Sequence, residues 1–340
     1  MSTKSFKTIA SAILACGLFS SCVATDVVTP EANKDSSEYV VLNVSSPQEA
    51  TRADEGYKLR YIAKIFQGSS RTAWGDPLDR QELIDGENGN QIVFKVDPND
   101  NYAILVFADY IPANYEAGAD GLYNDYFYNT KKNSKQVVLR TTPGSDAANV
   151  SSSFFNNHNY DAFFGMETFR KEEAEKVVDM TLKRTTAQVV FREKSENEGE
   201  CSVSVNKLGV RKSFSQDQNN SADPDFYEAN KSLGNLNLTE TANVDSSNKD
   251  LFFFYTLADP TSSPQNVSTE FKVTKNETES DVITVKDIPV KANYKTIVTG
   301  EFLPADNSGD DPKEEDPTKS GDVILNLTTD FSWQQEPLSK

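Results

Sequence analysis

Few side chains in this sequence have the types and spacing that do chemistry. The single histidine, His158, sits in Phe-Phe-Asn-Asn-His-Asn-Tyr, with no serine or cysteine motif to make a nucleophile–base pair. There is no Gly-x-Ser-x-Gly elbow, no phosphate loop and no Cys/His metal spacing. Carboxylates are plentiful, but a hydrolase needs two that converge, and no pair is singled out by position. The oxygen-rich run 97–101 lacks the glycine and the distal glutamate of a calcium loop, and reads as a turn between strands. No catalytic residue, metal or cofactor is expected, and the chain is not read as an enzyme. The reactive positions that remain belong to processing: Cys22, which closes an apolar leader, and the Arg52–Ala53 bond, in a polar stretch where proteolytic nicking is expected.

The leader carries Lys4 and Lys7, an apolar run over 9–19 too short to span a bilayer, then Ser20, Ser21 and Cys22. That order resembles a bacterial lipoprotein signal, with residues 1–21 removed and Cys22 lipidated. Phe19 stands where such signals favour leucine, and an ordinary secretory signal is the alternative; both export the chain. Without the leader only Cys22 and Cys201 remain, so no disulfide framework is available. Cys201 alternates with Val203 and Val205 and reads as a packed thiol. A net charge of −18 argues against nucleic-acid or anionic-membrane binding through the folded body.

The elements are strands. Period-two alternation marks 39–45, 57–66 and 91–96, and a nearly all-apolar run, 102–108, reads as a central strand. In 57–66 the alternation sets Leu59, Tyr61, Ala63 and Ile65 against Lys58, Arg60 and Lys64, as in a half-buried strand. Residues 68–90 read as a long loop, 109–130 as a tyrosine-rich one, and 136–140 as a short strand. The aromatics Tyr110, Tyr115, Tyr123, Tyr126, Phe127 and Tyr128 suit either core packing or a sugar-stacking platform. The charged segment 167–176 is the one helix candidate and is taken as the domain boundary. Further strands follow at 177–183, 186–193, 201–210, 251–257, 269–274, 281–290 and 294–303, the run 252–255 being core. Many short strands and almost no helix predict a pair of β-sandwiches.

The tail is organised differently. Residues 304–321 hold six acidic side chains, three prolines and two glycines, the composition of a disordered tether. Such a coil spans roughly 20–25 Å on average and about 60 Å when straight. Beyond it Val323, Leu325, Leu327, Phe331 and Trp333 share one face of an alternating strand. Residues 322–329 align without a gap on 39–46: Val40, Leu42 and Asn43 recur as Val323, Leu325 and Asn326, and Val44 as Leu327. Two segments with the same inward side chains fit the same slot in a sheet. Scission after Arg52 would free the first copy, with Val40, Leu42 and Val44, and another molecule's tail could refill the groove by β-strand addition. Such a head-to-tail contact does not close on itself and builds a filament.

This set of parts resembles the fimbrillins of type V pili, lipoproteins with a first strand ahead of an Arg-Ala bond, two β-domains and a detachable C-terminal strand. The phrases 160–165 (Tyr-Asp-Ala-Phe-Phe-Gly), 182–191 (Leu-Lys-Arg-Thr-Thr-Ala-Gln-Val-Val-Phe) and 293–300 (Asn-Tyr-Lys-Thr-Ile-Val-Thr-Gly) are similar to its strand signatures. The resemblance implies an all-β chain of two tandem transthyretin-like Greek-key sandwiches, 53–170 and 171–303. It implies a propeptide over 22–52 and an acidic linker with donor strand over 304–340. Lipidation would fall on Cys22, anchoring the precursor at the outer membrane, and an Arg-specific protease would cut after Arg52. The implied partners are further copies of the chain and related pilus subunits in adhesive surface fimbriae, with no nucleic acid. A surface lipoprotein that binds glycans and a secreted hydrolase are the alternatives.

Overall fold

The computed structural model describes residues 38–46, 56–70, 73–133, 136–146, 150–172, 176–196, 198–215, 231–233, 238–258, 265–304 and 326–330. Among them the regular structure is β-strand, relieved only by short 3-10 turns. In chain order the strands begin with β1 (Tyr39–Ser45), β2 (Tyr57–Ser70), β3 (Ala73–Ile84), β4 (Gln91–Lys95), β5 (Asn101–Pro112), β6 (Tyr128–Asn133) and β7 (Gln136–Leu139). Then come β8 (Ala162–Arg170), β9 (Lys176–Thr181), β10 (Lys183–Arg184), β11 (Thr186–Glu193), β12 (Gly199–Val210), β13 (Ser213–Ser215) and β14 (Lys231–Leu233). The last are β15 (Leu238–Val244), β16 (Asp250–Leu257), β17 (Gln265–Lys275), β18 (Thr278–Glu279), β19 (Ile283–Val290), β20 (Lys295–Gly300) and β21 (Asn326–Asp330).

Strands up to Arg184 make a three-stranded sheet, β4-β1-β9, and a five-stranded sheet, β10-β8-β5-β2-β3. Later strands make β16-β11-β20-β21 and a six-stranded sheet on the path β14-β12-β17-β18, with β15 on β12 and β19 on β17. A small sheet, β13-β7-β6, combines strands from both groups. The apolar core is continuous across all of this. Phe154 stacks with Phe254, Phe155 meets Phe252 edge-on, and the exposed His158 lies flat on Phe253 at 4.6 Å. The chain is all-β through these residues.

Most strands fall where alternation places them, and β5 is indeed central. The turn at 97–101 is there, with Asn99 at φ 69°. Three expectations fail for tertiary reasons. Residues 68–90 are largely strand: β2 runs on to Ser70 and β3 pairs back along it. Their turn-forming residues are used in register shifts around Phe66, Gly68 and Ser70, and Pro77 sits in β3, an edge strand, where a missing N–H is tolerated. The helix candidate at 167–176 is wrong as well. Glu167 to Arg170 finish β8, pairing with Ile104 to Asn101 of β5, and Phe169 packs 6.0 Å from the Tyr102 ring. Ladder bonds and a buried phenyl outweigh a modest local helix preference.

The third concerns β2, which is buried on both faces: Arg60 is 0% and Lys64 1% exposed. Residues around 123–130 lie over the face that alternation assigns to solvent. Arg60 hydrogen-bonds the Tyr123 carbonyl and the Asp125 carboxylate, and Lys64 reaches the Thr130 carbonyl. The tyrosine-rich segment is thus mainly a core cover. Tyr110, Phe127 and Tyr128 are buried, Tyr128 lying edge-on to Phe107 at 5.3 Å.

Candidate functional site

β1 is the middle strand of its sheet. It runs antiparallel to β4, with Leu42 opposite Ile92, and parallel to β9, with Leu42 opposite Val178. Alternation then divides its side chains. Val40, Leu42 and Val44 join the core at 0%, 0% and 4% exposure. The opposite face carries Val41, buried between Val93 and Val177, and then a polar ladder: Asn43 donates to Asp179 at 2.8 Å and accepts from Gln91 at 3.1 Å, and Ser45 and Thr181 share a hydroxyl bond of 3.1 Å. Removing β1 would therefore leave a slot lined by apolar side chains below and by Gln91, Asp179 and Thr181 above. β9 can lie close because Gly165 of β8 has no side chain; a Cβ there would meet Met180 and Leu182 within 3 Å.

Cys22, Arg52 and Ala53 lie outside the described residues, as do Val323, Leu325, Phe331 and Trp333. Leu327 falls in β21, which pairs antiparallel with β20, Leu327 opposite Val298. Among the described residues the tail strand is thus seated on an edge of its own chain's later sheet, with a strand neighbour on one side, whereas β1 has one on each side.

The three phrases 160–165, 182–191 and 293–300 meet at one buried joint. Arg184 Nε donates to both oxygens of Asp161 at 2.9 Å, and the Thr186 hydroxyl donates to Asp161 Oδ1 at 2.7 Å. Arg184 also reaches Asn293 Oδ1 at 2.9 Å, and the Asn293 N–H donates to the Thr186 carbonyl at 2.9 Å. The spacing of the phrases conceals this, since Asp161 and Asn293 are far apart in sequence. The joint ties β10 of the earlier sheets to the first residue of β11 and the approach to β20.

A second buried charge cluster was hidden by apparent alternation. Arg60 makes two bonds of 2.9 Å to Asp109, its cross-strand neighbour, and others to Asp125 at 3.0 Å and Glu82 at 3.2 Å. Burial by itself would lower the Arg60 pKa, but the three carboxylates outweigh it and hold the guanidinium charged. Burial pushes Asp109 up to about 6 against the pull of Arg60. Asp125 is buried too, yet Arg60 and the Thr130 donors keep it below the usual carboxylate range. Burial, with Arg80 nearby, brings Lys64 down to about 7. An aspartate ending the apolar run 102–108 and two basic residues in β2 were the signal available. Arg60 and its three carboxylates are enclosed and paired with one another across β2, β3 and β5, whereas Lys64 is buried against the Thr130 carbonyl. Cys201 is likewise an inert packed thiol, raised to about 11 by burial and then by Glu193.

Among the described residues no cluster of His, Cys, Asp and Glu could hold a metal ion, and no helix is long and apolar enough to cross a membrane. No curated protein matches the chain by sequence. Three solved structures are distantly similar. A candidate cell adhesion protein from Bacteroides eggerthii is 12% identical, with 86% of this chain and 95% of that one covered and a TM-score of 0.44. The tip fimbrial protein Mfa3 from Porphyromonas gingivalis, C-terminally truncated, is 11% identical, with 86% and 98% covered and a TM-score of 0.37. A fimbrial assembly protein from Parabacteroides distasonis is 12% identical, with 86% and 98% covered and a TM-score of 0.39. By sequence, residues 30–311 match the model of DUF6562, and the chain belongs to that family of unknown function.

Proposed function

We propose that the chain is a fimbrial subunit that polymerises at the cell surface by protease-triggered strand exchange. The observation that carries this reading is the fit between tail sequence and β1 slot. The tail offers Val323, Leu325 and Leu327 where β1 places Val40, Leu42 and Val44 in the core. It also offers Asn326 where Asn43 bonds Gln91 and Asp179, and Thr328 where Ser45 bonds Thr181. Both faces of the strand are thus reproduced, in the same chain direction. A chance resemblance between strands has no reason to copy the outward hydrogen-bonding residues together with the inward apolar ones.

In this scheme the earlier sheets form one transthyretin-like Greek-key sandwich and the later sheets a second, changing over at residues 184–186 rather than at 170, because β9 and β10 pair with β1 and β8. The precursor is an exported lipoprotein held by Cys22 at the outer membrane. Scission between Arg52 and Ala53 loosens residues 22–52, and β1 leaves. Another subunit's tail gives up its single-sided pairing with β20 for a place between β4 and β9. That exchange gains a second row of backbone hydrogen bonds, at about 0.5–1.5 kcal/mol apiece, and a buried apolar face.

The test is electrophoretic. Purified wild-type chain and an Arg52→Ala variant are treated with an Arg-specific protease and run without boiling. SDS-resistant ladders are expected from the wild type, and a folded monomer from the variant. Equal ladders from both would show that scission at Arg52 is not the trigger.

A further inference from the structure

Between the segment 113–126 and the turn 140–146 lies an open cavity of about 630 Å3, lined by Tyr115, Asn124, Asp125, Asn129, Arg140, Gly144 and Asp146. None of these residues belongs to β1, β4 or β9, so the cavity is separate from the strand slot. Its floor is fixed. Asn129 is buried and donates from Nδ2 to Asp146 Oδ1 at 2.8 Å, and Arg140 Nε donates to the same oxygen at 3.0 Å. Arg140 also holds the Asp125 carbonyl through its guanidinium, and its side chain is only 11% exposed. The Asp146 side chain is 63% exposed, so a carboxylate stands open to solvent on a rigid mount.

The aromatic wall is equally built. Tyr115 meets Tyr126 edge-on, with ring centres 5.7 Å apart. Gly144 adopts φ 70°, which brings its N–H to the Tyr126 carbonyl at 2.9 Å, and a Cβ there would lie 3.6 Å from the Tyr126 ring. The turn that carries Asp146 is thereby pinned against the segment that carries Tyr115.

This combination selects a ligand class. Arg140 and Asp146 neutralise one another, and Asp125, the third charged residue of the lining, is paired with Arg60, so the cavity offers little net attraction to an ion. What it presents is an amide, a carboxylate and a guanidinium of fixed orientation beside a tyrosine. Neighbouring hydroxyls of a pyranose ring both donate and accept, matching such groups, while the ring's C–H face suits an aromatic neighbour. The volume lies within the range of about 300–1,000 Å3 typical of small-molecule sites. We infer that this cavity binds a neutral saccharide, Asp146 and Asn124 addressing hydroxyls and Tyr115 the ring.

The purified full chain would be titrated with maltotriose, mannotriose, lactose and diacetylchitobiose by saturation-transfer NMR and calorimetry, with sialyllactose and inorganic phosphate as charged probes. At least one neutral sugar is expected to bind. Asp146→Ala and Tyr115→Ala should each weaken it about ten- to a hundredfold, the effect of losing one charge-assisted bond or one stacking wall, in chains that still melt cooperatively. Asp146→Asn, which keeps the shape, separates loss of charge from loss of fold and should also weaken binding. The inference is overturned by any of three results: no neutral sugar binding up to roughly 10 mM, where affinity is negligible; equal binding by wild type and both alanine variants; or preference for phosphate or sialyllactose.

Discussion

Leu42 decides how firmly the first strand is held. Its side chain is fully buried at the centre of β1, with a strand on each side. Truncation to alanine removes buried methylene groups and leaves a cavity, and at such sites Leu→Ala costs about 2–5 kcal/mol. Against a typical stability of about 5–15 kcal/mol, the precursor should remain folded but melt at clearly lower urea. The informative state is the cleaved one, in which β1 is held by pairing and burial without chain continuity to β2. If β1 must leave before a tail strand enters, the lost contacts should appear largely in the release rate. A loss of 2 kcal/mol corresponds to about thirtyfold faster release. The assay follows nicked protein exchanging β1 for a fluorescent peptide of residues 322–333, at peptide concentrations where the rate no longer rises. Val177→Ala is the control: Val177 lies in β9, beside the same slot, but is 49% exposed and should change little. Equal exchange rates for Leu42→Ala, Val177→Ala and wild type would refute the reasoning, since leaving the slot would then not be limited by the buried face of β1.

Deleting residues 322–340 should yield a chain that accepts the tail peptide after scission but never donates, so mixing it with wild type should shorten the ladders; undiminished ladders would count against the tail as donor. Lys64→Met should stabilise the fold by roughly 2–5 kcal/mol below pH 7, because a buried ammonium is replaced by a thioether while Arg80 still donates to the Thr130 carbonyl. With its folded pKa lowered to about 7 from 10.5, Lys64 costs most below pH 7 and is relieved as pH rises. The advantage of the variant should therefore shrink between pH 7 and 10, as read by urea melts across that window; a gain independent of pH would show that the charge is not the cause. Asp161→Ala removes the buried carboxylate that pairs with Arg184, whose side chain is 2% exposed, and should cost about 3–5 kcal/mol, more than Arg192→Ala, whose pair with Asp250 is partly solvated. Thermal melts of the two variants make the comparison.

Alternation sufficed to find β1, β4 and β20, because a strand with one buried face writes that face into every second residue, and unbroken apolar runs marked β5 and β16, which are buried on both faces. It also made the kinship of 39–46 and 322–329 legible, down to the asparagine whose counterpart, Asn43, proves to bridge Gln91 and Asp179. What composition and spacing could not reveal depended on segments distant in the chain. Arg60 and Lys64 look solvent-facing until residues 123–130 are laid over them, and Glu167–Arg170 look helical until β5 offers its ladder. Asp161, Arg184, Thr186 and Asn293 become one joint only when folding closes a long loop, and Asn129, Arg140 and Asp146 one cavity floor only when the turn 140–146 folds back on β6. A local pattern records which face of an element is apolar. Which other element covers that face, and which charges it brings along, is settled by packing.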